Sequence, residues 1–128
     1  MEINHIGIAV KSVEESGKKY REILEEKGEE EIVEKEGVKV VIFKNAKIEL
    51  LEPLNETSSI AKFIEKRGEG LNHIAFTVKN IEKRMEELKS LGFLFTRENP
   101  TLGAKGTKVA FIHPKSASGV LIELVEEV

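Results

Sequence analysis

The sequence predicts an α+β fold built from two βαβββ modules in tandem. Two observations carry that reading. The chain repeats itself: Asn4-His5-Ile6 recurs as Asn72-His73-Ile74, and Ile48-Glu49-Leu50 recurs as Ile122-Glu123-Leu124. Each copy also opens on a short alternating stretch and passes through one capped helical stripe before three extended segments. Modules of about sixty residues lie at the small end of what folds alone, so the two are expected to form one domain over 1–128. Module one spans about 1–54, a linker with a helix about 55–70, and module two about 71–128.

The first strand of module one places Ile6, Ile8 and Val10 on one side and His5, Gly7 and Ala9 on the other, because side chains alternate along a strand. Module two repeats the pattern, with Ile74, Phe76 and Val78 opposed to His73, Ala75 and Thr77. A helix follows in each. Ser12 and Glu15 have capping-box spacing, and Val13, Gly17, Tyr20 and Leu24 recur at helical intervals. In module two Asn80 is the expected N-cap, with Ile81, Met85, Leu88 and Leu91 as the stripe and Gly92 as the stop. The extended segments fall at Glu30–Glu34, Val38–Lys44 and Lys47–Leu51, then at Phe93–Thr96, Lys108–His113 and Val120–Val125. Asn45-Ala46 and Ser116–Gly119 are the turns before the last strand of each module. The linker, Pro53 to Gly70, holds a third helix capped by Ser58 or Ser59, with Ile60, Phe63 and Ile64 on its apolar face and Gly68 as its stop.

Composition narrows the function. Lys and Arg number 20 against 23 acids, a net charge of −3 with no basic block, which argues against a general nucleic-acid binder. Cysteine is absent, which removes disulfides, thiol nucleophiles, Fe–S clusters and cysteine zinc sites. No apolar run reaches membrane-spanning length, and the N-terminus lacks the basic start of a signal peptide, so a cytoplasmic protein is expected. There is no Asp, Gln or Trp, so every side-chain carboxylate is a Glu. A Glu/Lys-rich chain of this kind fits a heat-adapted source.

Four residues stand out on this plan. His5 and His73 occupy equivalent places in the first strands, and Glu49 and Glu123 equivalent places in the last. A carboxylate within an apolar strand is costly to bury unless paired or metal-bound, and the chain has done this twice, in register with a duplicated His. Taken singly, a strand His reads as a hydrogen-bonded core residue and a strand Glu as an edge residue. Taken together, the four read as a His2Glu2 site for a divalent metal. Imidazole and carboxylate donors suit Co, Ni, Mn or Zn. Four ligands would complete a tetrahedral zinc site, whereas a catalytic centre needs open positions, which favours a six-coordinate ion such as Co, Ni or Mn. Lys105, Lys108 and Lys115 lie in or beside the module-two loops, where they serve as solvated surface or as contacts to an anionic ligand; Gly103 and Gly106 flank Lys105. His113, without a repeat partner, reads as a turn histidine before Pro114.

Three stretches, HIGIAV, KIELLEPLNETSSIAKFIEKRGEGLNHIAF and FIHPKSASGVLIEL, give the whole chain a resemblance to the vicinal oxygen chelate (glyoxalase/bleomycin-resistance) superfamily, and within it to the methylmalonyl-CoA epimerases. The resemblance implies a curved mixed sheet around a metal site, with His5, Glu49, His73 and Glu123 as ligands. It implies epimerisation of methylmalonyl-CoA by 1,1-proton transfer through a metal-stabilised enolate, with Glu123 as one base, a small-molecule acyl-CoA substrate and a homodimer. Many epimerases have Gln where this chain has Glu49. Some also carry a Glu in the middle strand of module one, where this chain has Val40, so the second base is to be sought elsewhere: Glu49, a metal-bound water or a further residue. A glyoxalase I type lyase acting on a thiohemiacetal shares the metal site. A ring-cleaving dioxygenase needs one carboxylate fewer. A drug-sequestering binding protein of the same fold needs no metal.

Overall fold

The computed structural model describes residues 1–128. The chain is α+β and divides into two compact units, one of His5–Asn72 and one of Met1–Asn4 with His73–Val128.

In the His5–Asn72 unit, β1 (Ile3–Ala9) continues from the other unit's Met1–Asn4 and leads into α1 (Val13–Leu24). Then follow β2 (Glu29–Val33), β3 (Val38–Phe43), β4 (Ile48–Pro53) and α2 (Ser59–Arg67). The strand order is β2-β3-β4-β1. The hairpin strands are antiparallel, and β1 runs parallel to β4 with Gly7 beside Glu49 and Ala9 beside Leu51. The α1 stripe does what its spacing predicts: Val13, Tyr20 and Leu24 pack with Val10, Val41, Phe43 and Leu50. The Ser12 hydroxyl accepts from Glu15 N at 3.2 Å, as expected of the cap. Ser58, rather than Ser59, caps α2, and Gly68 ends it. The turn before β4 takes four residues, with Lys47 at φ 59°, so β4 starts one residue later than expected. The Glu26 carboxylate fixes that turn, accepting from Asn45 N and Ala46 N at 3.0 and 3.1 Å.

The second unit repeats the plan with β5 (Gly70–Thr77, of which His73 onward belong here), α3 (Ile81–Ser90), β6 (Thr101–Leu102), β7 (Lys108–Ile112) and β8 (Ile122–Glu126). Its order is β5-β8-β7-β6. Ile81, Met85 and Leu88 of α3 pack with Val78, Ala110, Ile112 and Leu124. Two expectations need correction. Leu91 is 73% exposed, because α3 ends at Ser90 and Leu91 is its C-cap, a step beyond the last turn that faces the core. Phe93–Thr96 is not a strand: Phe95 makes one isolated bridge to Ile112, and the strand that pairs with β7 starts after Pro100. Phe93 and Phe95 both pack on the α3 core, so their alternation signalled burial. The polar run Arg97-Glu98-Asn99 and Pro100, which has no N–H to donate, break the ladder.

Candidate metal-ligating pairs

Alternation aims each site carboxylate. Ile48 and Leu50 belong to the α1-side core, so Glu49 between them is turned to the opposite face. Ile122 and Leu124 belong to the α3-side core, so Glu123 is turned the same way in its own unit. The histidines are placed by the same rule. His5 shares a face with Gly7 and Ala9, all three buried while Ile6 and Ile8 are half-buried, and His73 shares one with Ala75.

Each unit thus builds a His–Glu pair. In the His5–Asn72 unit, His5 Nδ1 lies 3.3 Å from Glu49 Oε2, with side chains 8% and 13% exposed. In the second unit, His73 Nε2 lies 2.9 Å from Glu123 Oε1, with both side chains 5% exposed. Phe111, directly opposite Glu123 in the β7–β8 register, meets the His73 ring edge-on, with centroids 5.6 Å apart and planes at 90°. Ala75, Val109, Val125 and Phe111 form the apolar surroundings of the second pair. Asn4 of the repeated motif anchors the start of β1 within this unit: its amide donates to Thr77 Oγ1 at 3.1 Å, and Thr77 N donates to Glu2 O at 3.0 Å.

Imidazole and carboxylate removed from water are costly to leave ionised unless they are paired or bind a cation. His5, His73 and Glu123 are buried residues of the types that hold a metal ion. Imidazole and carboxylate donors match the borderline divalent ions, so the residue types of each pair fit such an ion. Such an ion would offset the negative charge of the carboxylates, and a carboxylate beside an acidic C–H can accept its proton.

The other expected residues sort differently. Val40 is 1% exposed and has no group to titrate. Lys108 is taken up by Glu82 at 3.0 Å. Lys105, between Gly103 and Gly106, adopts φ 56° in a turn closed by Thr107 N donating to Ala104 O at 3.2 Å. Lys115 N donates to His113 Nδ1 at 3.0 Å, so His113 is the turn histidine expected of it. Sequence reading missed two carboxylates. Glu52 Oε1 accepts from Val13 N at 2.8 Å and Glu126 Oε1 from Ile81 N at 2.9 Å, each capping a helix from the end of its module's last strand. They lie at equivalent places in the repeat, and that equivalence was the available signal.

A model of the Glyoxalase/Bleomycin resistance protein/Dioxygenase superfamily matches residues 4–111. The ethylmalonyl-CoA/methylmalonyl-CoA epimerase of Cereibacter sphaeroides is 39% identical over 127 residues, 95% of this chain and 95% of the relative. Among solved structures, a hypothetical protein of Bacillus halodurans superposes with a TM-score of 0.94 at 47% identity, over 99% of this chain and 94% of that one. Streptomyces coelicolor methylmalonyl-CoA epimerase in complex with 2-nitronate-propionyl-CoA gives a TM-score of 0.92 at 30% identity, over 100% of this chain and 98% of that one.

Proposed function

The chain belongs to the glyoxalase/bleomycin resistance protein/dioxygenase superfamily, and we propose that within it the chain is a metal-dependent methylmalonyl-CoA epimerase. The observation that carries this is the His–Glu pair built twice at equivalent strand positions of two repeated units, fully buried in one and with only Glu49 partly exposed in the other. The epimerases similar to this chain over nearly its whole length support the choice of substrate.

In this reading the two modules act as one domain, and His5, Glu49, His73 and Glu123 hold a single divalent ion. The ion supplies positive charge that favours the deprotonated form of the substrate. Open coordination positions put cobalt ahead of zinc, with nickel and manganese as the other choices. The working form is a cytoplasmic homodimer. No helix of the chain is long and apolar enough to cross a membrane.

Epimerisation at C2 takes a proton from one face and returns one to the other. The reacting C–H lies between a thioester and a carboxylate, so it is acidic enough for a side-chain carboxylate to remove. Glu123, whose Oε1 lies 2.9 Å from His73 Nε2, is the base on one face. Glu49, the matching carboxylate of the other unit, 3.3 Å from His5, serves the opposite face. Ala75, Val109, Val125 and Phe111 make the Glu123 side apolar; the proton Glu123 removes is not the one Glu49 returns, so both carboxylates exchange with solvent between turnovers and solvent hydrogen enters C2.

The test is proton exchange. One epimer of methylmalonyl-CoA is incubated in D2O with metal-loaded and with chelated protein, and C2 deuteration and the epimer ratio are followed. Metal-dependent deuteration with racemisation is expected. No exchange with the metal demonstrably bound, together with turnover of methylglyoxal plus thiol, would replace the epimerase by a lyase.

A further inference from the structure

We propose that Phe111 determines which alkyl group the site accepts at C2, an inference that rests on the epimerase reading above. The second unit presents one apolar surface beside its His–Glu pair. Ala75, Val109 and Val125 are 0%, 2% and 3% exposed and have no area left to offer, whereas Phe111, packed on them, is only half-buried. Its place is fixed from two directions. The register sets Phe111 directly opposite Glu123, and directly opposed residues of an antiparallel pair project from the same face with Cβ atoms about 4.5–5.5 Å apart. The edge-on packing against His73, with centroids 5.6 Å apart, then locks the ring.

The substrate's chemistry assigns the rest. C2 of a 2-alkylmalonyl thioester carries two carbonyl-bearing arms, a hydrogen and the alkyl group. Both arms are polar and develop charge on deprotonation, so they belong with the cationic part of the site. The hydrogen must point at a carboxylate. The alkyl group is left to find apolar surface within a bond or two of that carboxylate, and beside Glu123 that surface is Phe111. A benzyl group there limits the length of alkyl chain that fits, and a smaller side chain at the same place admits more methylenes. The Cereibacter relative bears a name covering both ethylmalonyl- and methylmalonyl-CoA, so these two alkyl sizes are natural probes.

The experiment compares the unaltered protein with Phe111→Leu and Phe111→Trp. For each, kcat/KM for C2 proton exchange is measured on methylmalonyl-, ethylmalonyl- and butylmalonyl-CoA, with metal content and Tm from the same preparations. A methylene in an apolar pocket is worth about 10-fold or more in discrimination. Phe111→Leu should therefore raise the butyl-to-methyl ratio by about that factor, and Phe111→Trp should lower the ethyl-to-methyl ratio. If a variant keeps its metal but loses turnover, dissociation constants of the three thioesters, measured by calorimetry, must show the same shift. Unchanged preference in both variants, with exchange on methylmalonyl-CoA intact in the unaltered protein, overturns the role of Phe111 and leaves the epimerase standing. Absence of exchange by the unaltered protein on all three thioesters overturns the epimerase itself.

Discussion

Glu123 is the most consequential side chain of the chain, because it is 4% exposed and has been given a partner instead of a way out to water. Replacing it with Gln keeps its volume and removes its capacity to hold a proton. Glu123→Gln should lower C2 exchange by about 10²–10⁴-fold, the usual worth of a positioned acid or base. Metal analysis on the same sample separates the two roles given to Glu123: exchange lost with metal retained marks a base, and exchange lost together with metal marks a ligand. Full activity would sink both. The buried pairing of Glu123 with His73 was legible because repetition singled both out. One Glu in an apolar strand says little, but two in register, each matched to a duplicated His, say a great deal. Phe111 had no such signal, since a Phe in an alternating strand reads as core, and only the register and the His73 ring contact set it apart.

The helices owe their starts to carboxylates that local sequence rules do not anticipate. An α-helix leaves its first N–H groups without intrahelical partners. Ser12 and Asn80 satisfy one each, as their spacing predicted, but Val13 N and Ile81 N are met by Glu52 and Glu126 from strands far along the chain. These contacts also set negative charge at the positive end of each helix. Glu52→Ala and Glu126→Ala should each lower stability by about 1–2 kcal/mol, read as a lower urea midpoint at constant slope. A midpoint unchanged in both would mean that water replaces the carboxylates at no cost. The exposed Glu82–Lys108 contact between α3 and β7 gives a pH signature instead. The hydrogen bond to Lys108 holds Glu82 below its ordinary 4.5, and the same bond raises Lys108 above 10.5. A depressed carboxylate contributes stability above its unfolded pKa and loses it as pH falls through the folded value. A raised lysine loses its contribution only as pH climbs through its own. The pair therefore works through the neutral range. Glu82→Gln should lower Tm slightly at pH 7 in low salt, and the difference should vanish in acid below the folded pKa and in about 1 M salt. A difference that persists in acid would show that Glu82 acts by packing. The helices were readable because caps and stripes are local. Phe93–Thr96 was misread because a ladder needs partners that a local pattern does not report, and Pro100 moved the pairing to Thr101–Leu102.

Duplication also sets the terms on which the molecule would bind the proposed ion. A single His–Glu pair offers two donors, too few to compete with water for a borderline divalent cation, whereas closed or catalytic sites of this kind use three or four protein ligands. Neither unit is then sufficient, and the proposed centre needs both. That requirement fixes a stoichiometry: one ion per chain of 128 residues, lost altogether when either His5 or His73 is changed to Ala, although the two residues belong to different units. Because an ion that binds only the folded chain stabilises it by mass action, metal loading should also raise Tm, by an amount that grows with free metal concentration and disappears on chelation. Both variants should lose that increment together. Atomic emission on desalted protein, read beside thermal melts at graded metal concentration, decides the matter. Two ions per chain, or one ion surviving in each histidine variant, would mean that each His–Glu pair binds for itself, and the repeated units would then be two half-sites with no shared chemistry to account for their duplication.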